Sequence, residues 1–476
     1  MTPAASERVD FLLSKGTAED VLRYAAELRS AGDPRGELIP IQLALESAQG
    51  SEVRPLLLAE ERVLREHAAT LLPWENRERS LSGLRWRRGF IEDAALADYG
   101  NIVEDIAPLT RAMRHPSMQR ARTVSTRRWC KYAPRSIESL WLTQAVVTRG
   151  MCALPRLRSL HIENLVAGSA VICEGLERLT VGSFGATAML DHGELPSLKR
   201  LGIVKHGTAD CQPSLFAALA QHNAPLVLRH SSRWGWWTDA DLRRLSDTSC
   251  EIVELSWRLG PGQPMPAGFP SLRRLVVTAP DVPDTELMNV PMLPNIESVE
   301  ELALQTSPRA GLEALLRCLG DNPMVNGLRR LTICTSSPVT AAFAKRTFRK
   351  LEELRFSFRS GAAAVKAILE AGAFPALRRV ETGPNGLRPL AASPYARQVE
   401  WLGLSMLDER TAQSWLATTR PAFPRLKVLA ITDALELSAE TRALMEEQGL
   451  RLVWRQRVGL GLPSVLAEDD MPAAET

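Results

Sequence analysis

The chain has 476 residues, of which 45% are hydrophobic, 24% charged and 5% aromatic. That composition excludes a disordered chain, a collagen-like chain and a small disulfide scaffold. The net charge of +3 hides a contrast. Residues 1–110 hold 13 basic against 19 acidic side chains, whereas residues 111–136 hold eight basic and no acidic ones. No apolar run approaches the ~20 residues of a membrane helix, and the opening residues lack a basic–apolar–small leader pattern. A cytoplasmic location is expected. The seven cysteines are odd in number and form no close pair, so buried free thiols are expected rather than a disulfide framework or a zinc site.

Residues 1–78 read as a small helical domain. Thr17 and Asp20 have capping-box spacing, and Val21, Leu22, Tyr24, Ala25 and Leu28 follow with helical periodicity. Ala31-Gly32 stops that helix. Asp33-Pro34 starts the next, with Asp as cap and Pro at the first helical position. Leu38, Ile39, Ile41, Leu43 and Leu45 give it an apolar surface, and a third helical run covers Val53 to Leu72.

Two motifs in this region carry a resemblance. Gly32-Asp33-Pro34-Arg35-Gly36-Glu37-Leu38-Ile39-x-Ile41-Gln42 resembles the N-terminal repeat-companion domain of bacterial proteins, chiefly of myxobacteria and planctomycetes. Trp86-Arg87-Arg88-Gly89-Phe90-Ile91 resembles the element that often follows it. The resemblance covers about the first 95 residues. It implies a non-enzymatic domain placed ahead of leucine-rich repeats. Where that family commonly has Tyr-Ala-Asp-Trp-Leu, this chain has Tyr24-Ala25-Ala26-Glu27-Leu28, so no Asp or Trp chemistry is carried over.

Residues 79–465 repeat the pattern L-x-x-L-x-L. Examples are Ile137-Leu140-Leu142, Leu157-Leu160-Ile162, Leu272-Leu275-Val277 and Leu426-Leu429-Ile431. From Leu140 to Leu452 the central anchors span 312 residues in 13 steps, a spacing of 24 that falls in the leucine-rich-repeat range. Each copy supplies one short strand that cannot bury its apolar face alone, and stacking the copies builds a continuous core. The expected fold is therefore α/β: a leucine-rich-repeat solenoid of about 14–16 repeats, with a curved parallel sheet and helices and turns on the convex side. A weaker copy places Met118, Ala121 and Thr123 inward and Arg120 and Arg122 on the concave face. Convex helices are expected over 312–319, Ala362–Ala371, Glu409–Thr418 and Ala439–Gln448. Of an asparagine ladder only Asn164 is a candidate.

On the concave side the residue before each anchor runs Glu254, Arg274, Glu301, Arg330, Glu353, Arg379. One position earlier it runs Arg273, Glu300, Arg329, Glu352, Arg378, Glu400, Lys427. Both columns alternate in sign. One reading is a self-neutralising ladder that fixes register; the other is a charged groove for an extended ligand. After the anchor, Trp141 and His161, candidate partner contacts, open a column that soon turns to small residues.

Two further features are candidates for partner binding. The first is the basic stretch, with Arg120, Arg122, Arg127, Arg128 and Lys131 as contact residues and Trp129 inside it. It suits an acidic protein, a phosphate or a nucleic acid, or it docks on the acidic head. The second is Trp234, Trp236 and Trp237, a residue type enriched at interface hot spots; core packing is the alternative. Residues 466–476, with Glu468, Asp469, Asp470 and Glu475, read as an acidic disordered tail.

No enzyme motif stands up. Gly260-x-Gly262 and Gly459-x-Gly461 lack the third glycine of a dinucleotide fingerprint, and the seven histidines show no ligand spacing. The expectation is a non-catalytic scaffold without cofactor or metal. It would bind a partner protein through the concave face or the N-terminal end. A nucleic-acid- or phosphate-binding protein and a regulatory or inhibitory subunit of an enzyme complex are the alternatives.

Overall fold

The structure is a computed structural model. It describes residues 16–48, 52–72, 84–96, 106–126, 128–145, 154–165, 174–183, 186–187, 190, 195–205, 211–221, 224–230, 237–248, 250–258, 269–279, 298–306, 323–334, 347–357, 360–405, 407–432 and 437–455. The helix expected over 312–319 and the acidic tail lie outside these residues, as does the side chain of Asn164.

The first described residues form four helices: α1 (Ala18–Ser30), α2 (Arg35–Leu45), α3 (Val53–Glu66) and α4 (Ala68–Leu71). The Thr17–Asp20 capping box closes α1 as its spacing predicts. The Asp33 carboxylate accepts the Arg35 backbone N–H at 3.0 Å and grips the Arg35 guanidinium, so it caps α2 while Pro34 already holds helical angles. Gly36 lets α2 meet α1 backbone to backbone. A Cβ there would lie 2.5 Å from the Arg29 nitrogen and 2.6 Å from the Ala25 oxygen.

The two motifs of the resemblance pack on one another. Strands β1 (Leu84–Arg87) and β2 (Phe90–Ala95) form a hairpin whose two turn residues, Arg88 and Gly89, both have positive φ, as a two-residue hairpin turn requires. The Gly89 N–H donates to Gln42 Oε1 at 2.7 Å, and Arg88 pairs with Glu46 at 2.7 Å. Phe90 leaves the hairpin to join Val21, Ala25 and Ile39 in a buried cluster, with the Arg35 guanidinium 5.0 Å above its ring.

From β2 onward each strand pairs in parallel with the next. The series continues with β3 (Thr123–Thr126), β4 (Ser139–Ala145), β5 (Ser159–Leu165), β6 (Arg178–Gly182), β7 (Arg200–Lys205) and β8 (Leu226–His230). Then come β9 (Ile252–Arg258), β10 (Arg274–Ala279), β11 (Glu301–Thr306), β12 (Arg330–Cys334) and β13 (Glu353–Phe356). The last are β14 (Arg379–Thr382), β15 (Trp401–Ser405), β16 (Val428–Thr432) and β17 (Arg451–Arg455). The described residues thus hold one sheet of 17 strands. The anchors stand in register: Leu140 faces Leu160, Leu160 faces Leu179, Leu275 faces Leu302 and Leu429 faces Leu452. Each fully buried leucine contributes roughly 1.5–3 kcal/mol, so the column of anchors is the main stabilising element.

One frame is corrected. The copy Met118-Ala121-Thr123 makes Ala121 the anchor; the anchor of β3 is instead Val124, which faces Leu140, while Ala121 takes the opening inward position and Thr123 is only half-buried. The polar Thr126 occupies the second inward position, which is why the apolar pattern misleads here.

The segments between strands include α5 (Ile106–Arg114), α6 (Pro213–Ala220), α7 (Asp239–Ser246), α8 (Ala362–Ala371), α9 (Pro384–Ala392), α10 (Glu409–Ser414) and α11 (Ala439–Glu447). α8, α10 and α11 fall where helices are expected. Phe269, Phe374 and Phe423, each followed by proline, plug the core at the entry to their repeats.

Helix α3 also touches the far end of the chain. Val53 and Leu57 form a buried cluster with Ala443 of α11, while Arg54 meets Glu440 at 2.5 Å and Arg442 meets Glu61 at 3.9 Å. The helical head therefore closes the array into a ring, although no pairing among the described residues joins β1 to β17. Sixteen strand spacings of about 4.8 Å give an arc of about 77 Å, and the head spans the gap.

Two outcomes are expected. Gly36→Ala forces the α1 and α2 backbones apart and lowers stability by about 1–3 kcal/mol, read as a drop in melting temperature. The second concerns Glu446 on α11, whose carboxyl is pushed up by burial, offset in part by Arg442 and pushed further by Glu60. A raised carboxyl means that stability falls as pH rises above the ordinary value of 4.5. Glu446→Gln is expected to raise the melting temperature at neutral pH and to flatten its decline above pH 4.5.

Candidate functional site

The charged columns form ladders of ion pairs. In the inner column Arg200 reaches Glu254 at 3.1 Å. Arg274 lies 3.8 Å from Glu254 and 3.7 Å from Glu301. Arg330 bridges Glu301 at 2.7 Å and Glu353 at 2.9 Å. Arg355, two positions further along the strand than Glu353, holds Glu353 at 2.6 Å and Glu381 at 3.7 Å. The outer column pairs Arg273 with Glu300, Arg329 with Glu352 and Arg378 with Glu400 at 3.1–3.8 Å.

The outer ladder also runs through the early repeats, which the sequence reading missed. Glu92, Arg122, Glu138, Arg158, Glu177 and Lys199 alternate in the same column. Arg122 contacts Glu92 and Glu138, Arg158 contacts Glu177 at 2.9 Å, and Lys199 contacts Glu177 at 3.1 Å. The signal was present as the residue after each repeat's opening inward residue, Ala121 before Arg122 and Ile or Leu before the others.

The two ladders differ in burial. Arg355 and Glu353 have side chains about one-twentieth exposed, whereas Arg273 and Glu300 are about half exposed. Burial raises the Glu353 carboxyl, but Arg355 and Arg330 outweigh it and hold the group below its ordinary value. Cys334 is pushed up to about 12 by burial and by the charge of Glu381, so its thiol is not an activated nucleophile.

Trp141 and His161 stack at 3.5 Å with an interplanar angle of 18°. They occupy neighbouring strands in one concave row that continues through Thr180 to Gly202. Both rings are buried, at 6% and 4% exposure, so the stack presents little surface to a partner. Trp237 is also buried, against the ion pair of Lys205 with Asp241. Lys205 Nζ lies 5.8 Å from its ring, and Asp241 accepts the Cys211 N–H at 2.8 Å. Trp234 and Trp236 lie outside the described residues.

The basic stretch divides in the same way. Arg122 belongs to the outer ladder, Arg120 is half-buried and already engaged, and Arg127 lies outside the described residues. Arg128, Lys131 and Arg135 are exposed on the segment between β3 and β4, and Arg114 is exposed at the end of α5. Tyr132 links them. The Arg114 guanidinium lies 4.3 Å above its ring and Lys131 Nζ lies 5.2 Å away, while the ring remains 38% exposed. Among the described residues no carboxylate pairs with Arg114, Arg128, Lys131 or Arg135. Sequence reasoning singled out Trp129, which packs against the core, and overlooked Tyr132, three residues on. Convex loops expose alternate rings unpredictably, so the sequence alone held no signal that ranks the two.

A contrast in mutational cost follows from the ladders. Glu353→Ala strips a buried guanidinium of its nearest partner and is expected to cost about 3 kcal/mol in denaturant unfolding. Glu300→Ala removes an exposed pair and is expected to cost under about 1 kcal/mol.

No protein-family model matches the chain, and no curated protein matches it. Among solved structures, a crystal structure of a protein from Bacteroides fragilis, determined by a structural genomics consortium, is 14% identical, with a TM-score of 0.23. The matched region covers 55% of this chain and 66% of that one, just under two thirds of that protein's length.

Proposed function

We propose that the chain is a non-catalytic interaction scaffold. In this reading it is a leucine-rich-repeat solenoid led by a domain of the repeat-companion type. It holds an acidic partner protein at the convex cationic patch of its first repeats: Arg114, Arg128, Lys131 and Arg135 around Tyr132. The observation that carries the reading is a difference in pairing. In the ladders Arg200, Arg273, Arg330 and Arg378 each pair with a carboxylate, so that much of the concave edge neutralises itself and offers little attraction. The four patch cations have no such partner among the described residues, and a half-exposed aromatic ring sits between two of them. Unpaired charge steers association, and an aromatic ring beside arginine is a common interface anchor.

An acidic protein fits better than nucleic acid. A single exposed ring is too little for a base-stacking platform, and the patch is confined to two adjacent convex segments. Native pull-down after nuclease treatment tests the reading. A stoichiometric protein partner is expected with the wild-type chain and is expected to fall about tenfold with Arg128→Glu and Lys131→Glu together. Unchanged recovery from the double variant overturns the patch as the site. Loss of the partner on nuclease treatment turns the assignment to nucleic acid.

A further inference from the structure

We propose that the contact between α3 and α11 is a releasable clasp set by the charge on Glu60 and Glu446, through which the array exchanges between a closed ring and an open arc. Both faces of this joint lie within the described residues. Its apolar part is small: Val53, Leu57 and Ala443 are buried, with Leu45 and Ala48 packed at the margin. Its polar part is crowded with carboxyls at one end. Glu60 is close enough to Glu446 for its charge to act there, and Arg442 serves both Glu446 and, at 3.9 Å, Glu61. The Arg442 Nε is buried and makes no hydrogen bond among the described residues. Arg65 also takes Glu61, at 2.7 Å, and at the other end of the contact Arg54 takes Glu440 at 2.5 Å.

Glu60 is held where it meets Glu446. Its Oε1 accepts the Gln42 side-chain N–H at 2.7 Å, and Gln42 Oε1 accepts the Gly89 N–H at 2.7 Å. A chain of contacts therefore runs from α11 through the head to the turn of the opening hairpin. Burial pushes the Glu446 carboxyl up, Arg442 of its own helix offsets part of this, and Glu60 of α3 adds to it. Of the other charged groups on elements packed against α11, Glu409 of α10 is turned to Ser438 and Thr441 at the start of the helix, and Arg451 of β17 is exposed. As pH rises through the raised value, Glu446 ionises in a half-buried place beside a like charge, and the clasp weakens. Asp93 is also pushed up by burial, but it is held by Arg85 at 2.6 Å inside the opening hairpin.

The head's other joint is built differently. There Phe90 is buried among Val21, Ala25 and Ile39, and the Gly89 N–H is bonded to Gln42. Opening therefore falls at α11, and the array can absorb it. Parting α3 from α11 by about 5 Å, shared over sixteen strand interfaces, changes each by about 0.3 Å, a small step for a solenoid whose curvature is a sum of small rotations.

The test is amide hydrogen exchange on the full chain at about pH 5 and about pH 8, corrected for intrinsic rates, with small-angle scattering on the same samples. In the wild-type chain the amides of α3 and α11 are expected to lose about tenfold in protection at the higher pH, while those of β5 to β8 keep theirs. The radius of gyration is expected to rise at unchanged mass. Glu446→Gln and Glu60→Gln are each expected to hold α11 protected at both pH values. Arg54→Glu is expected to open the clasp at either pH, and adding Glu440→Arg to restore it, which separates a local release from a failure to fold. Equal protection of α3 and α11 at the two pH values in the wild-type chain overturns the clasp. A pH response that survives both glutamine variants overturns the role of Glu60 and Glu446. Loss of protection that spreads equally to β5 to β8 marks general loosening and overturns a local joint. A rise in mass on opening means that the head of one copy takes α11 of another, and overturns the exchange within one ring.

Discussion

A strand that buries its leucines only against its neighbours leaves two raw ends, and everything else in this molecule answers that constraint. In an array of this kind no repeat has a core of its own. The first and last strands would each expose an apolar layer and an unpaired backbone edge. Here one helical head serves both ends. Gln42, Ile39 and Arg35 seat the opening hairpin through Gly89 and Phe90, while Val53 and Leu57 on the next helix cover Ala443 at the other end. The pairing of two motifs far apart in sequence thus has a simple cause. One motif is the socket for the other.

The repeat was legible because its period is short and its anchors are leucines. The register of Leu140 with Leu160, or Leu275 with Leu302, follows from spacing alone. The alternating charges were legible for the same reason, from Glu254 onward. They were harder to see earlier, where serines at 139 and 159 interrupt the inner column and only the outer one alternates. The third strand was misframed because Thr126 sits at a position that leucine or isoleucine fills in its neighbours. The contact of Leu57 with Ala443 had no local signature at all. Nearly 400 residues separate the two, and only the accumulated curvature of every intervening repeat sets their distance.

Charge is sorted by side in this fold. On the strand-entry edge it is paired, and the inner pairs are buried deeply enough to resist salt. Around Tyr132 in the first repeats, Arg114 and Lys131 have no carboxylate partner among the described residues. The tryptophans that draw the eye in the sequence behave in the opposite sense. Trp141 and Trp237 are interior fillers, one stacked on His161 and the other packed beside the Lys205–Asp241 pair. Residue type alone therefore ranks the surfaces wrongly here, and pairing state ranks them better.

The alternating outer ladder has a consequence for how such a chain can change its length. Duplicating or deleting a single repeat would bring two arginines or two glutamates face to face in the column that holds Arg273, Glu300, Arg329 and Glu352. Duplicating or deleting two preserves the order. The array therefore has a unit of inheritance twice its structural repeat, and its ring closure narrows the choice again. Any change in repeat number must still return α11 to α3.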